Sequence, residues 1–190
     1  RGISCIDSLF TSTSAVCVTG LVVMDTAADF TLFGKIVILS LIQLGGFGIM
    51  TFSMGLLAMF SESLSIRWRF TFQDLYSDVK KIPIKSLLKR IVYYTFLIEI
   101  AGAILLFTQF YGAYGFSAAC GHAVFHSVSA FCNAGFSTFS DSLMSYNGNA
   151  VVVLTISANI VLGGLGFIVL YEFRRVVAGK IVHREKRFSL

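Results

Sequence analysis

Three stretches of the chain, 36–61, 100–140 and 142–171, contain no Asp, Glu, Lys or Arg. A membrane-crossing helix takes roughly 20 apolar residues, so each stretch is long enough for one. The basic residues fall mostly outside them. Seven of the fifteen Lys and Arg lie within 67–90 and six more within 174–187, the placement expected of juxtamembrane cytoplasmic segments. If both clusters are cytoplasmic, the chain between them crosses the membrane an even number of times. Hydropathy alone would give three spans there, at 91–111, 115–140 and 149–171. The middle one is the odd one: Gly121, His122, His126, Ser127, Ser129, Asn133, Gly135, Ser137 and Ser140 make it a poor lipid-facing helix. A short helix that enters and returns as extended backbone fits it better, since irregular backbone survives at membrane depth only beside protein or a water-filled cavity.

Composition agrees with a membrane solvent. The chain is 56% hydrophobic and 13% charged, with mean hydropathy +0.80, whereas soluble domains carry about 25% charge. The net charge of +5 does not point to nucleic acid, because its clusters flank the apolar runs and would attract anionic lipid headgroups. The loops at 21–34 and 137–148 hold Asp25, Asp29 and Asp141 but no Lys or Arg. Acidic mouths modestly concentrate cations, although polar loops need no such role. The first residue is Arg, and a longer parent protein is expected.

An internal repeat organises the rest. FTSTSAVCVTGL at 10–21 aligns with FHSVSAFCNAGF at 125–136 at an offset of 115, with six of twelve positions identical. Cys5 and Cys120 match at the same offset. LGGFGI at 44–49 aligns with LGGLGF at 162–167 at an offset of 118, so the second outer loop is three residues longer. Each repeat reads as a short helix, a turn carrying a glycine, an outer loop, and a long helix with a glycine patch. The second repeat has a leading span at 91–111; the first begins at its short helix. The expected fold class is all-α integral membrane, built from tandem helix–pore loop–helix repeats with about three spanning helices and two re-entrant pore helices. Its expected divisions are 1–60 (pore helix, filter and second helix of repeat one), 61–90 (basic cytoplasmic connection), 91–172 (repeat two) and 173–190 (basic cytoplasmic tail).

The turns carry candidate chemistry. A potassium ion leaving water needs its hydration shell replaced, and rings of backbone carbonyls do this in potassium pores. Glycine tolerates the dihedrals such a loop requires, and Gly20 and Gly135 occupy matching positions just after the short helices. A helix C-terminus would turn its partial negative charge toward the ion. The small residues Ser12, Ser14, Ala15, Ser127, Ser129 and Ala130 permit close helix packing.

The motifs LFTSTSAVCVTGL at 9–21, QLGGFGIMTF at 43–52, FHSVSAFCNAGFS at 125–137 and DSLMSY at 141–146 resemble the Trk/Ktr/HKT superfamily of potassium transporters, most closely the bacterial Ktr-type translocating subunit. The resemblance covers nearly the whole chain in the family's order. It implies potassium uptake through a carbonyl filter to which Cys17, Val18, Thr19 and Gly20, and Cys132, Asn133, Ala134 and Gly135, contribute. It also implies four repeats around one pore, of which this chain carries the first two. A multi-pass location in the bacterial plasma membrane follows, with 61–90 and the tail cytoplasmic. So do a homodimer, a cytoplasmic nucleotide-binding regulatory ring and, in some members, sodium coupling. Cys17 and Cys132 stand where a hydroxyl or amide residue is expected, a departure that matters little if only main chain binds the ion.

Other residues have plainer readings. The four cysteines follow the repeat, and without a CxxC they read as small thiols rather than disulfides or a metal site. His122 and His126 share one helix face, but zinc takes about four ligands and no carboxylate is near in sequence, so packing or hydrogen bonding beside the filter is expected. Glu99 lies within a span, where an ionisable residue is a functional candidate; the alternative is a carboxyl hydrogen-bonded to a neighbouring helix. The patches Gly45, Gly46, Gly48 and Gly163, Gly164, Gly166 follow no strand, which excludes a dinucleotide loop and favours close helix packing. Segment 64–82 alternates apolar with basic and polar residues. It suits an amphipathic segment on the inner interface or a dock for a cytoplasmic regulator. A Cys/His membrane enzyme is the rival from another class, but no nucleophile, base and orienting group stand out, so no enzyme is expected. A non-conducting interaction module is the third reading.

Overall fold

The computed structural model describes residues 4–60 and 84–165. Segment 64–82, most of the basic connection and the tail from 173 lie outside the described residues. Within them the fold is helical, without strands: α1 (Cys5–Val16), α2 (Leu32–Phe60), α3 (Ile84–Phe131), a 3-10 turn at Met144–Tyr146, and α4 (Ala150–Gly164).

Local sequence sets the helix ends. Ser4 and Asp7 form a capping box at the start of α1: the Asp7 N–H donates to Ser4 Oγ at 3.2 Å and the Ser4 N–H to Asp7 Oδ2 at 3.3 Å, which satisfies donors the helix cannot. At α4, Asn149 Oδ1 accepts from the N–H groups of Val151 (3.0 Å) and Val152 (3.2 Å), while its amide donates to Gln109 Oε1 at 3.0 Å and ties α4 to α3.

Helix α3 is a hairpin. At Gly115 φ is 72° and ψ 176°, an angle pair that glycine reaches and side-chain-bearing residues rarely do. The limbs 84–114 and 116–131 fold back antiparallel. The Ser127 hydroxyl donates to the Glu99 carbonyl at 2.7 Å, and the Phe107 and Phe116 rings meet near the bend at 5.5 Å. Leu106, Phe110, Ala119, Ala123 and Val152 form one buried cluster between the limbs and α4. A second cluster joins the halves of the chain: Ala15, Ile38 and Ile42 pack with Phe125, Val128, Phe131, Cys132, Ala134 and Phe136.

The outer surface is apolar. Ile6, Leu9, Ile100, Ile104, Leu154 and Val161 are all exposed, the reverse of a water-soluble helix, whose exposed face is polar. Among the described residues the apolar segment Lys89–Phe131, which the bend at Gly115 divides, is long and apolar enough to cross a membrane by length and composition.

Candidate functional site

The turns that follow α1 and α3 have the same backbone. The Val18 N–H donates to the Ala15 carbonyl (3.2 Å) and Thr19 N–H to Ser14 (2.9 Å); 115 residues later, Asn133 N–H donates to Ala130 (3.0 Å) and Ala134 N–H to Ser129 (2.8 Å). This pairing is the Schellman cap, which needs a left-handed residue at its turn. Val18 (φ 53°) and Asn133 (φ 59°) supply it, and Gly20 (79°) and Gly135 (73°) follow, also left-handed. A β-branched residue with positive φ is a genuine outlier, so Val18 holds a strained conformation fixed by the cap.

The N–H groups of residues 17–19 and 132–134 are consumed by their helices. The carbonyl oxygens of Cys17, Val18, Thr19, Cys132, Asn133 and Ala134 accept no hydrogen bond among the described residues. Unused backbone acceptors at the end of a helix are what a cation can use. The two turns also lie together. A Cβ placed on Gly20 would stand 2.5 Å from the Ala134 oxygen and 3.4 Å from Gly135 Cα, and one on Gly135 would stand 3.7 Å from Gly20 Cα. All eight sequence-selected residues, Cys17 to Gly20 and Cys132 to Gly135, therefore belong to one place.

The glycine patches hold these turns from below. A Cβ on Gly45 would run into the Val16 carbonyl oxygen, and one on Gly163 into the Phe131 carbonyl oxygen. These are equivalent contacts, 118 residues apart on the long helices and 115 on the short ones. Each first glycine lets a long helix touch the main chain at the end of its short helix. Gly46 packs against Cys132, whose Sγ would lie 2.6 Å from an added Cβ.

The second turn is braced more fully. Ser129 Oγ donates to the Phe136 carbonyl at 2.7 Å, whereas the equivalent Ser14 Oγ is buried without a partner. His126 Nε2 pairs with Ser137 Oγ at 2.9 Å and its Nδ1 with the His122 carbonyl at 2.8 Å, while His122 Nδ1 pairs with Thr138 Oγ1 at 2.7 Å. Phe139 stacks on His126 at 4.7 Å and lies 4.7 Å from His122. The histidines thus hold the segment just beyond Gly135. Both ring nitrogens of His126 are thereby engaged. All four cysteines are free, and among the described residues no three His, Cys, Asp or Glu gather into a metal-holding group.

The outer loops use their acids locally. Asp25 accepts from the Ala27 N–H at 2.7 Å and Asp29 from the Asp25 N–H at 2.9 Å. The Ser140 hydroxyl and the Ala27 N–H hold the Asp25 carboxyl below its ordinary value. Asp141 accepts from the N–H (3.0 Å) and hydroxyl of Ser145, which lowers it likewise. Lys35, just past the first loop, folds back to donate to the Ala27 carbonyl at 2.8 Å. The first loop is therefore less acidic than residues 21–34 imply.

Glu99 is buried in the wall behind the second turn, and its carboxyl oxygens lack hydrogen-bond partners. The buried Ser127 and Asn159 stand beside it, joined at 3.0 Å. Sequence reasoning did not single out Gln43 or Asn159; the signal was an isolated polar residue inside a long apolar helix.

Residues 2–190 match the TrkH family, described as a cation transport protein. The chain belongs to this family, whose defining property is ion transport rather than a covalent reaction. It is 41% identical over 174 residues to the Ktr system potassium uptake protein B of Vibrio alginolyticus, covering 92% of this chain and 38% of that one. The protein of the same name from Bacillus subtilis is 39% identical over 190 residues, 100% of this chain and 41% of the relative. The potassium/sodium uptake protein NtpJ of Enterococcus hirae is 35% identical over 185 residues, 97% and 40% of the two chains. The chain thus spans about two fifths of the length of these curated relatives.

Proposed function

We propose that this chain is part of a potassium-translocating membrane protein, and that the turns 17–20 and 132–135 are two arms of its selectivity filter. The observation that carries the reading is the division of labour at residues 17–19 and 132–134: N–H groups bonded to the helix, carbonyls unbonded. Alternation of φ sign along each turn rotates successive peptide planes the same way, which lets neighbouring carbonyls face one ion. Such carbonyls replace the hydration shell at low reorganisation cost, and the C-terminal ends of α1 and the limb 116–131 favour positive charge.

In this reading α1 and the limb 116–131 are re-entrant pore helices, and α2, residues 91–111 and the apolar stretch 149–171 span the bilayer. Segments 61–90 and 173–190 face the cytoplasm. Two arms do not enclose an ion, and one open cavity supports a position for the next. Ile38 and Ile42 of the first half are covered by the second half. Their counterparts Ile156 and Ile160 line an open cavity of about 240 Å³ with His126, Ser129 and Ala130. A contact whose two sides differ repeats head to tail and forms a ring where its rotation closes. A further repeat, or a second copy of the chain, completes the pore by covering that cavity. The names of the relatives support potassium as the transported ion, and that of the Enterococcus hirae protein supports testing sodium as a partner ion. A homodimer and a nucleotide-binding regulatory ring on the cytoplasmic side complete the reading by resemblance.

The test is growth at low potassium of a strain lacking potassium uptake, expressing the complete protein. Wild type restores growth, and Gly20→Ser and Gly135→Ser lose it or lose preference for potassium over sodium. Unchanged growth and preference in both variants would remove the filter assignment.

A further inference from the structure

The filter reading makes no use of Glu99. This residue lies on the limb 84–114, 3% exposed, and neither carboxyl oxygen has a hydrogen-bond partner. Gln43 of α2 lies against it, and the Gln43 Nε2 is buried and likewise unpartnered. From the limb 116–131, Ser127 donates to the Glu99 main-chain carbonyl and accepts from Asn159 of α4. The Cys132 thiol lies within reach of the Glu99 charge. Thr95, one turn earlier on the same helix, is buried too.

An ionised carboxylate without a partner is strongly disfavoured in such surroundings. It is relieved by a cation or by a proton. A hard cation asks for a shell of about six oxygen ligands. The groups around Glu99 offer two amides, a thiol, the Thr95 hydroxyl and a Ser127 hydroxyl already engaged on both sides, short of such a shell. A proton asks for much less. A carboxylic acid facing a primary amide donates its O–H to the amide oxygen and accepts the amide N–H on its other oxygen. That arrangement satisfies Glu99 Oε1, Glu99 Oε2 and Gln43 Nε2, the three unpartnered atoms, together.

We infer that Glu99 is a neutral carboxylic acid paired face to face with the Gln43 side-chain amide, a clasp between the first half's long helix and the wall behind Cys132. Gln43 lies two residues before Gly45, which seats the Val16 carbonyl, and three before Gly46, which seats Cys132. The clasp fixes the part of α2 that touches both turns. Glu99 and Gln43 are thus positioning residues for the filter, and their effect on transport rests on the filter reading.

The test uses the complete protein as wild type, Glu99→Gln, Glu99→Ala and Gln43→Leu. Infrared difference spectra at neutral pH read the carbonyl stretch of a protonated carboxyl. The band is expected in wild type, absent in Glu99→Gln, and shifted to a free acid in Gln43→Leu. Potassium-over-sodium preference is expected to stay within about twofold in Glu99→Gln, whose amide–amide pair closes the same two bonds, and to fall about tenfold in Glu99→Ala and Gln43→Leu. A spectrum that Glu99→Gln leaves unchanged would mean an ionised Glu99 and overturn the clasp. So would an intact preference in Glu99→Ala, or a loss in Glu99→Gln as large as in Glu99→Ala. If the wild type moves no potassium, the filter reading fails, and the infrared result alone decides the clasp.

Discussion

In the first half of the chain, Ile42 is 0% exposed beneath the aromatic and small residues of the second half; its counterpart 118 residues on, Ile160, is 44% exposed. The two turns above these residues differ in the same sense. The second is tied by Ser129, His122, His126 and Phe139 to its own outer segment, and the first leans on its neighbour. Similar sequences thus give one half that is covered from outside and one that is braced from within. The two turns share one backbone conformation, and the differences record which neighbour each half meets.

The largest expected effect breaks the asymmetry. The proposed ring fills the cavity beside Ile160, so in the complete protein Ile160→Ala and Ile42→Ala are each expected to destabilise by about 2–5 kcal/mol, read by thermal denaturation in detergent. A cost for Ile160→Ala below about 0.5 kcal/mol, the usual range of an open surface site, would leave the cavity facing lipid.

The next compares the glycines. Both Gly20→Ala and Gly135→Ala carry the left-handed penalty of roughly 1–2 kcal/mol. Only the first also drives a Cβ toward the Ala134 oxygen at 2.5 Å, against 3.7 Å to the nearest atom for Gly135. Gly20→Ala is expected to lower potassium-over-sodium preference more than Gly135→Ala. Equal losses would mean the contact between the turns is irrelevant to selectivity. Gly121→Ala is the control, since nothing stands within 4 Å of the added carbon.

A smaller effect separates the two serines. Ser129→Ala leaves the Phe136 carbonyl buried and unpaired, at about 1–3 kcal/mol. Ser14→Ala removes a hydroxyl that bonds nothing and is expected to be neutral or slightly stabilising. Chemical denaturation of the two variants reads the difference directly.

The smallest is a pH effect at the outer loops. Asp25 and Asp141 are held below their ordinary values, chiefly by the hydroxyls of Ser140 and Ser145. A carboxyl lowered on folding stabilises above its unfolded value, about 3.9, and loses that contribution as pH falls through the folded value. Asp25→Asn and Asp141→Asn should each flatten the acid limb of a stability–pH curve and change little at neutral pH.

Much of this was legible in the residues, because glycines and small polar side chains announce a turn. Gly20 and Gly135 fall where positive φ is required, and the first glycine of each patch falls where a long helix touches a helix end. What was not legible depends on partners distant in sequence. Nothing in the strings at 10–21 and 125–136 says that Ser129 reaches Phe136 while Ser14 reaches nothing, for the difference lies in how each outer loop returns. Lys35 sits one residue beyond a loop that reads as acidic, and only the fold brings it back to Ala27. Gln43 and Glu99 are two isolated polar residues, 56 positions apart, whose meeting depends on how α2 packs against α3.

The central claim is that the free carbonyls of the two turns coordinate potassium. Anomalous diffraction from crystals of the complete protein grown with rubidium or thallium tests it most directly. The account predicts anomalous density within coordination distance of the carbonyl oxygens of residues 17–19 and 132–134, lost when sodium replaces the heavy ion. Ordered turns without such density, or density confined to another part of the molecule, would contradict it.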